Sequence, residues 1–150
     1  MPRGQIAVNR RARYDYEILE RFEAGIVLTG TEIKSIREHR VQIQGAYAHV
    51  RNGEVWLEDC HIAPYANAGY ASHDPIRDRK LLLHKTEISR IAEAVGAQGL
   101  TLIPLAIYWK RGMAKLELGL CRGRRHHDKR TRIAERDAER QVARALRRDA

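Results

Sequence analysis

The sequence predicts a mainly β fold: a small antiparallel OB-like barrel with two or three peripheral helices and a basic C-terminal tail. Three observations carry this expectation. Short runs of alternating apolar and polar residues recur between turn-forming residues, as in antiparallel strands. Two segments with helical periodicity are set among them. The last fifth of the chain is mostly charge with little apolar material. Closure is expected because it removes the edge strands that so small a sheet would otherwise expose.

The elements follow in order. Residues 16–28 hold aromatic and branched side chains around Gly25, which suggests two short strands or one strand bent at a glycine, ended by Gly30. In residues 31–39, Ile33 and Ile36 stand three apart among charges, the pattern of a short amphipathic helix with Thr31 as its candidate N-cap. Asn52-Gly53 lies between alternating runs in residues 46–62, and Asn-Gly is favoured where both turn residues need positive φ, so a β-hairpin is expected. Residues 64–79 are small, polar and turn-forming without period, an exposed loop. KLLLH, residues 80–84, reads as a strand. Residues 86–99 read as a helix with Ile88, Ile91, Ala92 and Val95 on one face and Gly96 or Gly99 as its stop. Residues 100–120 give a second hairpin, turned at Lys110-Arg111-Gly112, in which Leu116, Leu118 and Leu120 alternate with Lys115, Glu117 and Gly119.

At 150 residues the chain can bury a core without disulfides or metal. The expected division is a barrel in residues 1–120 and a tail in residues 121–150, disordered when free. The longest nearly apolar run, residues 100–109, is broken by Thr101 and Pro104 and falls short of the roughly 18 residues a membrane span needs. The N-terminal MPRGQIAVNRRAR has no apolar stretch of the secretory kind, so a cytoplasmic, membrane-free protein is expected. Cys60 and Cys121 are expected to be free thiols.

Net charge is +9, and its distribution is informative. Residues 121–150 hold eleven Lys and Arg against five Asp and Glu, a net +6, which leaves +3 for the first 120. A surplus of this kind favours phosphate backbones. On a helix, Arg132, Arg136, Arg140, Arg144 and Arg148 form one stripe, opposite a weak apolar stripe of Ala134, Ala138, Val142 and Leu146. Alanine offers little area to bury, and like charges at i,i+4 repel, so the helix is marginal alone. A polyanion along the arginines reverses that balance, and the tail is expected to fold as a helix on RNA. Residues 128–149 would then span ~33 Å at ~1.5 Å per residue.

His126-His127 beside Asp128 has the residue types of a general-base pair for RNA cleavage, but a basic tail offers no rigid scaffold to hold a reacting phosphate. Cys60, His61, Cys121, His126 and His127 include zinc-ligand types without zinc-ligand spacing. Neither catalysis nor a metal or other cofactor is expected. Two further basic clusters, Asn9-Arg10-Arg11-Ala12-Arg13-Tyr14 and Arg77-Asp78-Arg79-Lys80, would make a patch for folded RNA if the fold joined them.

Several of these segments, in this order, resemble the SsrA-binding protein (SmpB) family: NRRAR from Asn9, FEAGIVLTGTEIKS from Phe22, NGEVWL from Asn52, HDP from His73, RKLLLH from Arg79, IYWK from Ile107, AKLELGL from Ala114 and RGRRHHDKR from Arg122. The resemblance implies an adaptor that binds the tRNA-like domain of transfer-messenger RNA and delivers it to stalled ribosomes as a monomer. Elongation factor Tu and alanyl-tRNA synthetase would act on the RNA complex. By similarity Asn9, Glu23, Leu82, His84 and Lys115 fall at RNA-binding positions, with Lys34 inside the second motif. Arg10, Arg11, Arg13, Arg79 and Lys80 are added from the basic clusters. Arg122, Arg124, Arg125, Asp128, Lys129 and Arg130 fall in the tail motif used on the ribosome, with His127 expected near the decoding bases. Arg132, Arg136, Arg140 and Arg144 would pair with 16S ribosomal RNA phosphates in the empty message channel. Cys121 and the arginines at 122, 124 and 125 depart from the usual small residue and lysines without changing size or charge much, and the loop after Tyr65 varies.

Overall fold

The computed structural model describes residues 4–67 and 72–123. Among these residues nine strands and three helices follow in the order β1 (Gln5–Val8), α1 (Ala12–Asp15), β2 (Tyr16–Ile26), α2 (Gly30–Arg37), β3 (Val41–Gln42), β4 (Tyr47–Arg51), β5 (Glu54–Glu58), β6 (His61–Ile62), β7 (Arg79–Leu82), α3 (Lys85–Gln98), β8 (Thr101–Lys110) and β9 (Met113–Gly123). The pairings run β8–β4–β5–β7–β2–β9 and return from β9 to β8, so the sheet closes on itself, with β1 added along β8. Every ladder is antiparallel. β3 and β6 pair separately. The expected OB-like barrel with peripheral helices is what forms.

Both expected hairpins have turns of the same chemistry. Asn52 and Gly53 have φ of 53° and 73°, and Arg111 and Gly112 have 54° and 75°. Positive φ at both turn residues matches the right-handed twist of the flanking strands. The second turn is the two residues Arg111-Gly112, with Lys110 still in β8.

Alternation fills the barrel. Leu116, Leu118 and Leu120 face the interior with Phe22, Ala24, Val55, Leu57, Leu81 and Leu102, while Ile36 of α2 and Ile91 of α3 pack against the same core. On α3 the buried residues are Ile91 and Ala94, with Ile88 and Val95 partly buried; Ala92, expected on this face, is exposed because Ala94 lies nearer the centre of the stripe. Gly99 ends the helix in the left-handed region, which glycine enters without steric cost.

Residues 16–26 make one continuous strand, with its irregularity between Ile18 and Glu20 and not at Gly25. One extra residue reverses the side-chain parity. Phe22 and Ala24 therefore face the barrel interior, whereas Tyr16 and Ile18 pack outside with Ala12, Ile103, Leu105 and Cys121 as a second, smaller core beneath α1. β8 has a matching irregularity between Pro104 and Ala106, a position where proline's missing N–H is tolerated. It places Leu105 across Gly119, where an added Cβ would come within 2.9 Å of Leu105 Cδ1.

α2 starts a residue earlier than the sequence suggested. Its cap is Thr29: the Thr29 side chain accepts from the Glu32 N–H at 3.4 Å, and Glu32 Oε1 accepts from the Thr29 N–H at 2.8 Å. Thr31 instead meets His73 Nδ1 at 2.9 Å. The reciprocal pairing satisfies two otherwise orphaned helix N–H groups.

Candidate nucleic-acid interface

Register brings the site together. Across the outer face, Gly25 of β2 stands opposite both Leu82 of β7 and Lys115 of β9, Lys115 stands opposite Tyr108 of β8, and Tyr108 opposite Gln5 of β1. Two residues along, Glu23 stands opposite Glu117. Residues far apart in the chain, such as Gln5 and Lys115, thus lie in one row, because opposed residues of antiparallel strands share a face.

Within that row the Glu23 carboxylate accepts the Tyr108 hydroxyl at 2.5 Å and the Lys110 ammonium at 3.2 Å. The Tyr108 hydrogen bond, Lys110 and the charge of Lys115 hold the Glu23 carboxyl below its usual range, against a smaller opposing effect of burial. Burial and the Glu23 carboxylate both push the Tyr108 phenol up, so its proton stays. Leu82, 50% exposed, and Met113, 56% exposed, frame the cluster with apolar surface. At physiological pH this surface presents two ammonium groups, a carboxylate able to accept from hydroxyl or amino donors, and an aromatic edge. That mixture suits a folded nucleic-acid backbone with unpaired bases.

The remaining sequence-expected residues divide. Arg10 and Arg11 are exposed on the turn entering α1 and Arg13 is exposed on α1 itself; Arg11 lies 4.0 Å from Asp15. Asn9 is buried: its backbone N–H donates to the Leu105 carbonyl at 2.8 Å and its Nδ2 to the Pro104 carbonyl at 3.0 Å, so the β8 irregularity is what it reads. Its visible work is to seat the arginine-bearing turn. His84 caps α3 and is exposed, its N–H donating to Glu87 Oε1 at 3.0 Å. Lys34 is exposed on α2 with its ammonium 5.2 Å from the Tyr65 ring. Lys80 pairs with Glu54 at the surface.

Arg79 stands apart from the other residues expected on the RNA surface. It is fully buried, its Nε bonded to Glu32, its Nη1 to the Cys60 carbonyl at 2.7 Å and its Nη2 to the Pro75 carbonyl at 3.2 Å. Arg77 adds a second hydrogen bond to Glu32 at 2.5 Å. Burial disfavours the charged Glu32, but hydrogen bonds from Arg77, the Thr29 N–H and Arg79 outweigh it and hold the carboxyl below its usual range. Within the basic cluster at 77–80, Arg79 therefore spends its charge inside the protein on Glu32, Arg77 shares that carboxylate from a partly exposed position, and Lys80 pairs with Glu54 at the surface.

Tyr108 and Lys110 were not singled out by sequence. The signal was there: a two-residue turn at Arg111-Gly112 sets the hairpin register and places Tyr108 opposite Lys115. Arg122 lies in β9, exposed and 3.8 Å from Glu17. Arg124, Arg125, His127, Asp128, Lys129, Arg130, Arg132, Arg136, Arg140 and Arg144 lie outside the described residues. Cys60 and Cys121 are free, buried thiols, each pushed up to about 11 by burial. Among the described residues no cluster of His, Cys, Asp and Glu has metal-site geometry, and no helix is long and apolar enough to cross a membrane.

A small closed antiparallel barrel with a cationic and aromatic row on its outer face is that of a nucleic-acid-binding β-barrel. Comparison with known proteins is more specific. The model of the SmpB protein family matches residues 6–148, and the chain belongs to that family. The chain is 55% identical over 142 residues to the SsrA-binding protein of Desulfitobacterium hafniense, covering 95% of this chain and 91% of that one. It is 56% identical over 144 residues to the SsrA-binding protein of Chloroflexus aggregans, again covering 95% and 91%. A solved structure described as "tmRNA-SmpB: a journey to the center of the bacterial ribosome" is 55% identical, with a TM-score of 0.65 over 78% of this chain and 82% of that one.

Proposed function

We propose that the protein is the RNA-binding adaptor of trans-translation: its barrel binds the tRNA-like domain of transfer-messenger RNA, and the complex enters stalled ribosomes. The observation that carries the barrel's part is the outer-face row in which Glu23 accepts from Tyr108 and Lys110 and feels the charge of Lys115. Lys115 and Lys110 would meet phosphates, Glu23 would accept from ribose hydroxyls or base amino groups, and Leu82 would pack against a sugar or base. Asn9 and Arg79 would act by holding surfaces in place, Arg10, Arg11 and Arg13 by facing the RNA backbone. Gel shift with the isolated tRNA-like domain tests this: Glu23→Ala and Lys115→Ala should each weaken binding while circular dichroism stays unchanged. Wild-type affinity in both variants would exclude the row as the RNA surface.

The tail reading follows from its sequence. Residues 124–150 would enter the message channel of a ribosome that lacks message beyond the decoding centre, with arginines paired to 16S ribosomal RNA, and would be excluded where message fills the channel. Elongation factor Tu would join through the RNA, and the site of action would be the cytoplasm. In this reading the chain binds RNA and leaves it intact; cleavage of labelled RNA by pure protein would instead favour the His126-His127 pair.

A further inference from the structure

Beside the row is a cavity of about 440 Å³ on the same outer face, walled by Gln5 and Val8 of β1, Ala106 of β8, Arg21 and Glu117 of the β2–β9 ladder, Arg10 of the turn before α1 and Arg13 of α1. Its place follows from register: Val8 is opposite Ala106, Ala106 opposite Glu117, and Glu117 opposite Glu23. The cavity therefore begins one residue pair from the Glu23 carboxylate. We propose that it receives a single nucleotide extruded from a loop of the RNA bound on that row, a reading that rests on the proposed RNA function and extends it.

Four features select a nucleotide. The volume exceeds the ~150 Å³ that holds a benzene ring in an engineered cavity, leaving room for a base and part of its sugar. Part of the lining is apolar, from Val8, Ile18, Leu105 and Ala106, and small at Ala106, so a flat ring can lie against it. The rim is cationic: Arg10 and Arg13 form no ion pair among the described residues, and only Arg21 is neutralised, by Glu117 at 3.2 Å. Guanidinium groups there can stack on a base or hold its phosphate. Finally, Gln5 Oε1 at the wall is buried without a hydrogen-bond partner among the described residues. A buried acceptor left unmatched is costly, and an exocyclic amino group of adenine, cytosine or guanine would match it. An acidic peptide would meet Glu117, whereas an uncharged base edge avoids it.

The test uses full-length protein and a set of tRNA-like domain RNAs, each abasic at one unpaired position. Ala106→Leu fills the cavity and Arg13→Ala removes a rim cation exposed on α1. Each should weaken intact RNA by about tenfold, the lower end of what a single base contact contributes. One abasic RNA should show the same loss with wild-type protein and no further loss with Ala106→Leu. If no abasic position couples to either variant, or both variants bind every RNA as wild type does, the nucleotide pocket is wrong. Should Ala106→Leu fail circular dichroism, coupling to Arg13→Ala decides. Glu23→Ala separates the two readings: an uncoupled cavity with a weakened Glu23→Ala leaves the RNA surface standing.

Discussion

At the scale of single residues, two glutamates nine positions apart have opposite tasks. Glu23 sits at the surface, where its partners present it; Glu32 is fully buried with Arg79, and each neutralises the other. Glu32→Gln leaves the Arg79 guanidinium without its counter-charge, so stability should fall by about 3–5 kcal/mol, read from the urea midpoint. Replacing both, Glu32→Gln with Arg79→Met, should cost less than the two single changes summed, because no buried charge is then orphaned. The pH dependence has a definite sign. The folded Glu32 carboxyl titrates below the ordinary value of 4.5, so its contribution is present above that value and disappears as pH falls through the lower folded one. A wild-type melting temperature that drops on acidification more than that of Glu32→Gln is the expected result. These roles were legible unequally. Glu23 and Lys115 could be carried over from motif resemblance, but Arg79 in the sequence is one cation in a basic run. Its partner lies 47 positions away, and only the closed sheet brings them together.

Elements with a strong local rule were legible, and those fixed by tertiary packing were not. Asn-Gly fixed one hairpin and leucine alternation the other; α3 showed both its stripe and its glycine stop. β1, at four residues, and α1, also four, have too little period to show, and each exists because β8 and the outer core give it a surface. The α2 cap slipped two positions for a related reason. Thr29 and Thr31 are both good caps, and the reciprocal bond from Glu32 selects Thr29. Thr29→Ala should therefore cost about 1 kcal/mol, while Thr31→Ala should not show a capping loss; thermal melts of the two distinguish them. The β8–β9 turn supports a change in the other direction. Arg111 holds φ of 54°, a region that asparagine tolerates better than arginine. Arg111→Asn should raise stability by about 0.5 kcal/mol, within the usual range for such surface improvements, with chemical denaturation as the check.

At the scale of the whole molecule, β9 carries the proposed RNA row at one end and leads into the tail at the other. Lys115 and Gly123 are eight residues apart along one strand, ~27 Å at ~3.4 Å per residue. Gly123 pairs with Tyr16 at the start of β2, whereas Lys115 pairs with Gly25 near its end. Binding at the row therefore leaves the root of the tail clear, which is the geometry that two independent contacts require. Residues beyond Gly123 hold ten Lys and Arg and five Asp and Glu, so deleting 124–150 lowers the net charge from +9 to +4. The lost charge acts at long range on any polyanion. Binding of the tRNA-like domain should weaken at low ionic strength and converge on the full-length value near ~0.2 M salt, where the screening length falls below ~8 Å. Glu23→Ala should behave differently, because a lost short-range contact persists at every salt concentration. Tagging of peptides on stalled ribosomes should vanish in the truncated protein even where RNA binding is intact. A truncation that lost RNA binding as fully at high salt as at low would mean the tail touches the tRNA-like domain directly, and the strand would then be joining two parts of a single contact.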